Sequence, residues 1–60
     1  MESILKYFKY EHLPEKLQAV SKPFCELAEV VDKLPGDPRE KAVALRKLLE
    51  SKDAAVRAAL

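Results

Sequence analysis

Sixty residues amount to one small domain, and 48% hydrophobic against 35% charged residues exclude a chain disordered by composition. The apolar runs are far shorter than the roughly 20 residues needed to cross a bilayer, and no charged leader precedes an apolar stretch, so a cytoplasmic protein is expected. One cysteine and one histidine cannot make an internal disulfide or a closed zinc site, and a net charge of +1 gives no global pull toward nucleic acid or anionic lipid.

That composition has an energetic consequence. A chain of this size buries only roughly 60% of the surface its unfolded form exposes. Its own core rarely supplies more than about 3–5 kcal/mol. Eight alanines lower the burial per residue further. With no disulfide and no metal, self-association is the remedy left, and a homo-oligomer is expected.

The first twelve residues read as an arm. Ile4, Leu5, Tyr7, Phe8 and Tyr10 are interleaved with Lys6 and Lys9, and neither a strand nor a helix period fits them. Such a segment is expected to pack across the rest of the chain or across a neighbour. His12 stands just before the first helix, where a surface or capping role suffices.

A first helix is expected over about 14–34. Leu13, Leu17, Val20, Phe24, Leu27, Val31 and Leu34 are spaced 4, 3, 4, 3, 4, 3, an unbroken heptad stripe with Glu15, Lys16, Glu26, Glu29 and Lys33 off it. Pro14 suits a first turn. Pro23 removes one backbone hydrogen bond and crowds the carbonyl of Ala19, at a cost of about 3 kcal/mol. Either the helix kinks there or it restarts with Ser21 as a cap; the unbroken stripe favours one kinked helix.

The turn falls at 35–37, where Pro35-Gly36-Asp37-Pro38 holds the only glycine and two of the four prolines. Asp37 suits an N-cap, Pro38 the first helical position, and Glu40 the third, from which it reaches back in a capping box. A second helix follows over 38–60, rich in good helix formers and free of breakers. It offers Ala42, Leu45, Leu49, Val56 and Ala59 at matching spacing, with Lys52 in the same register between Leu49 and Val56. So short a turn forces the helices antiparallel. The fold class is all-α: an antiparallel two-helix hairpin with an N-terminal arm, assembling as a homo-oligomeric helical bundle in a single domain.

The search for catalytic chemistry returns nothing. There is no glycine-rich phosphate loop, and a nucleophile at Cys25, Ser21 or Ser51 would have His12 alone for a base. Cys25 suits packing as a small apolar group. Glu26 and Glu29 sit at helical spacing on a solvated face, with no cleft to raise a pKa. No catalytic residue, metal or cofactor is assigned, and the protein is not read as an enzyme.

Two features exceed a plain scaffold. Lys52 interrupts an apolar stripe, either snorkelling to water or facing an anionic ligand or a partner's carboxylate. Along the last helix Arg46, Lys47, Lys52 and Arg57 outnumber Glu50 and Asp53. Beside a lysine-interleaved aromatic arm, that excess suits a ligand combining phosphates with bases.

Phe8-Lys9-Tyr10, Leu13-Pro14-Glu15, Glu26-Leu27-Ala28, the Leu34-Pro35 turn, Ala44-Leu45-Arg46-Lys47-Leu48 and Val56-Arg57-Ala58, in that order, resemble a family of short phage proteins. These are the helical-hairpin nucleotide sponges of the anti-CBASS and anti-Thoeris type, and the similarity spans about residues 8–60. The resemblance implies a protein that sequesters cyclic oligonucleotide or cyclic ADP-ribose-type immune signals without cleaving them, in the cytoplasm of an infected bacterium. It implies a homohexamer whose pockets between protomers hold a cyclic di- or trinucleotide. Carried over by position, Tyr10 matches a base-stacking aromatic and Arg57 a phosphate-contacting basic residue. A family lysine on the first helix aligns with Ser21, with Lys22 adjacent. Pro23 departs from the family pattern, and the first helix is about one turn shorter. The expected ligand-binding residues are Tyr10, Arg57, Lys22 and Lys52.

Other classes compete. A small helical interaction module would oligomerise and inhibit or scaffold a protein partner through an exposed apolar stripe. Duplex binding through the last helix is disfavoured by near-neutral charge, by Glu50 and Asp53, and by the lack of a third helix to position a reader.

Overall fold

The structure, a computed structural model, describes residues 3–60. The first two residues of the expected arm lie outside the described residues. Three elements follow in chain order: a 3-10 helix (η1, Ile4–Phe8), a long helix (α1, Glu15–Lys33) and a second long helix (α2, Pro38–Ala59). The described residues are thus all-helical, with an N-terminal arm and packed helices, as the patterning requires. No described helix is long and apolar enough to cross a membrane.

The arm has more order than its sequence pattern announces. The Ser3 hydroxyl accepts from the amide of Leu5 at 3.2 Å and caps η1. Five residues give too few turns for a hydrophobic period to show, so the cap and the burial of Phe8 define the element.

Between η1 and α1 the chain is pinned by side chains. Gln18 donates through Nε2 to the carbonyls of Leu13, at 2.8 Å, and Glu11, at 3.2 Å. Pro14 caps α1 without a side-chain bond, and its carbonyl accepts from Leu17 and Gln18 at 2.8 and 2.9 Å. Glu15 in the first turn and Lys33 in the last complement the helix dipole.

α1 runs through Pro23 as one helix, with no restart at Ser21. Packing against α2 and the arm holds the element together despite the missing amide. The turn is then set by Gly36, whose φ of +130° only glycine adopts without strain. Asp37 Oδ1 accepts from the amide of Arg39 at 2.8 Å and Pro38 occupies the first helical position. The reciprocal bond expected of Glu40 is not formed among the described residues, so the cap is one-sided.

The core is thin. Phe8, Ala28 and Leu45 form its centre, with Ile4, Leu5, Phe24, Cys25, Val31, Leu48 and Leu49 packed around them. Farther along the seam Leu17 and Ser21 are also buried. The inward face of α1 is therefore Leu17, Ser21, Phe24, Ala28 and Val31, rotated from the heptad stripe read in the sequence. Small side chains at Ser21 and Ala28 let the helices close on that side. Leu27 and Leu34, which belong to the stripe, stay about half exposed at 49% and 48%.

Phe8 links three segments. Ser3 and Ile4 lie beside Asp32, Pro38 and Lys41 near the turn, and Phe8 meets Ala28 and Leu45 farther down. The arm thus runs opposite to α1, covering the groove between the helices. Residues 9–14 then lead to the start of α1 through a turn closed by the Leu13 amide on the Tyr10 carbonyl at 3.0 Å.

Candidate ligand surface

Tyr10 sits where the arm hands over to α1, and its backbone is fixed at both ends. Its amide donates to Glu11 Oε2 at 3.2 Å, and its carbonyl accepts from the amide of Leu13 at 3.0 Å. The side chain is half-buried.

Arg57 lies in the last turn of α2, exposed, with no acidic partner among the described residues. Because the helices are antiparallel, that turn lies near the start of α1. Tyr10 and Arg57 therefore share the half of the hairpin away from Gly36. Lys22 is exposed near the middle of α1.

Lys52 is placed differently. It lies in the seam, its side chain only 13% exposed, with Nζ 3.0 Å from Oδ1 of Asp53. The stem covers apolar surface while the ammonium meets a carboxylate at the rim. Counting back from Leu45 and Ala28, which pack together, Lys52 and Ser21 fall at the same level of the antiparallel pair. Ser21 Oγ is buried and has no hydrogen-bond partner.

Two open grooves run beneath the arm. One, of about 310 Å³, is lined by Ser3, Ile4, Tyr7, Arg46 and Leu49. The other, of about 520 Å³, shares Ser3, Ile4 and Arg46 and adds Asp32, Pro38, Lys41 and Leu45 among its walls. Neither contains Tyr10, Arg57, Lys22 or Lys52. Sequence reasoning places Tyr7 only within the aromatic arm and Arg46 only within the basic excess of the last helix, and leaves Lys41 unmentioned; their proximity depends on the arm folding back, which no local pattern encodes. Tyr7 is 55% exposed, and the Lys6 ammonium stands 5.0 Å from its ring centroid.

Cys25 is disfavoured as a nucleophile. Burial pushes its thiol pKa up, and the carboxylate of Glu29, which accepts from Sγ at 3.7 Å, pushes it the same way. A thiol held protonated is a poor attacking group.

The surface is thus a half-buried aromatic and a guanidinium unpaired among the described residues, in one half of a narrow hairpin. No known protein family, curated protein or solved structure matches the chain.

Proposed function

We propose that the protein is a non-catalytic sponge for cyclic nucleotides. It would hold a cyclic oligonucleotide or cyclic ADP-ribose-type signal between copies of itself, in the manner of the phage anti-defence proteins its motifs resemble. The observation that carries the reading is Arg57, exposed on the last turn of α2 with no acidic partner among the described residues and in the same half of the hairpin as Tyr10. A guanidinium unpaired among the described residues is available for bidentate contact with phosphate. The Tyr10 ring supplies a stacking face for a base. Lys22, and Lys52 if it exchanged Asp53 for a phosphate, would add charge from a neighbouring copy.

Self-association belongs to this reading because a two-fold interface presents each residue twice. A cyclic dinucleotide also carries two phosphates and two bases. In an infected bacterial cytoplasm, capture alone would starve an effector of its activator, and no bond in the ligand need break.

The test is titration calorimetry of the intact protein against cyclic di- and trinucleotides and cyclic ADP-ribose isomers, followed by chromatography of the recovered ligand. Saturable binding with the ligand returned intact is expected, weakened roughly tenfold or more in Arg57→Ala and Tyr10→Ala. No binding across the panel, or conversion of the ligand to a linear product by clean protein, would overturn the reading. A second reading, a module that docks on a protein partner, draws on the half-exposed apolar stripe of α1. It predicts no nucleotide binding at all.

A further inference from the structure

α1 carries two apolar faces, and the fold uses one. Leu17, Ser21, Phe24 and Ala28 turn inward. Val20, Pro23, Leu27, Val30 and Leu34 form a second stripe, displaced by about 110° around the helix at 100° per residue. Leu27, Val30 and Leu34 are 49%, 55% and 48% exposed. Three large aliphatic side chains in one row on so small a chain mark a contact surface, not scatter.

The charges beside the stripe select its occupant. Glu26 and Lys33 line its outer edge, seven residues apart, both exposed and neither ion-paired among the described residues. Together with Glu29 and Val30 they border a shallow groove of about 360 Å³. A second copy laid antiparallel, with Leu27 against Val30 of the other chain, sets Pro23 against Leu34. It also sets Glu26 of each chain across from Lys33 of the other. Sliding the copy so that Leu27 meets Leu27 or Pro23 brings the two Glu26 carboxylates together at the axis. A parallel copy sets Glu26 beside the apolar Val31. The antiparallel register with Leu27 against Val30 pairs the two charges nearest the stripe, Glu26 and Lys33, and it is self-complementary under a two-fold axis.

We infer that this outer stripe of α1 is a homodimer interface, in which two hairpins pair antiparallel about an axis between Leu27 and Val30. The inference rests on the self-association half of the reading above and is independent of the ligand. It extends the thin core of each chain by an apolar layer that neither chain can cover alone.

The test is sedimentation across a concentration series with Glu26→Lys, Lys33→Glu and the double variant. All four chains should show the same helicity by circular dichroism, since both positions are exposed. The wild type should dimerise, and each single variant should weaken the dimer by about tenfold or more. The double variant should recover it, as should a mixture of the two single variants, whose lysines then face glutamates. Leu27→Ser, at a half-exposed position, should abolish the dimer while the helices persist. Wild-type monomer at every concentration would overturn both the interface and the self-association. Single variants that associate as the wild type does would overturn this interface and leave self-association standing.

Discussion

Lys52 turns its ammonium onto the carboxylate of Asp53, 3.0 Å away, from a position inside the seam between the helices. The pair lies at the rim, where Asp53 is about half exposed at 48%, so its Coulomb energy is largely screened by water. What Lys52 contributes to the hairpin is its methylene stem. Lys52→Met keeps that stem and should change stability by less than about 1 kcal/mol. Lys52→Ala should cost more, because it leaves the seam underfilled. Urea midpoints of the two variants make the comparison. Equal losses would assign the stabilisation to the charge.

Asp37 caps α2 through one hydrogen bond, to the amide of Arg39. Asp37→Ala should destabilise the protein by about 0.5–2 kcal/mol, with Asp37→Asn losing much less. The position is exposed and Glu40 adds no reciprocal bond, so the low end is expected. An unchanged thermal midpoint in Asp37→Ala would show that solvent satisfies the amide equally well.

α2 was legible in its extent because its start is chemical: Asp37, Pro38 and a glycine two residues before the first helical position mark the boundary. The reciprocal Glu40 bond expected there is not formed among the described residues. α1 was legible as a helix but not in its facing. A chain with two apolar stripes gives one long heptad pattern, and only the small side chains of Ser21 and Ala28 decide which side closes. The arm was least legible. Its 3-10 turn depends on Ser3 and on a slot for Phe8 that α1 and α2 create together. Tyr10 and Arg57 stood out through the motif resemblance, whereas Arg46, Lys41 and Tyr7 are gathered only by that folding back.

Ser21 Oγ is buried without a partner, a penalty of about 1–3 kcal/mol for a hydroxyl taken out of water. Alanine also suits a helix interior better than serine. Ser21→Ala should therefore stabilise the chain, by on the order of 1 kcal/mol. Chemical denaturation reads this directly. A destabilised variant would mean that the hydroxyl bonds an internal water.

Cys25 is raised by burial first and by Glu29 second, so its folded pKa lies above that of an unfolded thiol. The unfolded chain thus gives up the thiol proton at lower pH than the folded one. The stabilising contribution is present below the unfolded value, about 8.5, and is lost as pH rises through the folded value. Alkylation by iodoacetamide should accelerate only at pH values above those for a free cysteine. Glu29→Gln should shift that profile downward. A profile matching free cysteine would remove the carboxylate from the account.

Phe8 is fully buried, while the adjacent Tyr7 is 55% exposed, and that contrast tests whether the arm is part of the fold. Phe8 packs on Ala28 of α1 and Leu45 of α2, so one ring ties all three segments. Replacing it with alanine opens a cavity where small neighbours cannot collapse inward, at about 3–5 kcal/mol for a buried phenylalanine. A core of this size supplies about that much in total. Phe8→Ala should therefore lose most of its helicity at low protein concentration, although neither long helix is touched in sequence. Tyr7→Ala should stay within about 0.5 kcal/mol of the wild type, as surface substitutions do. Circular dichroism melts of the two variants decide the matter. If Phe8→Ala melts cooperatively within a few degrees of the wild type, the hairpin stands without its arm. The covering of the groove by η1, and with it the placement of Tyr10, would then be a weak attachment and not the keystone of the core.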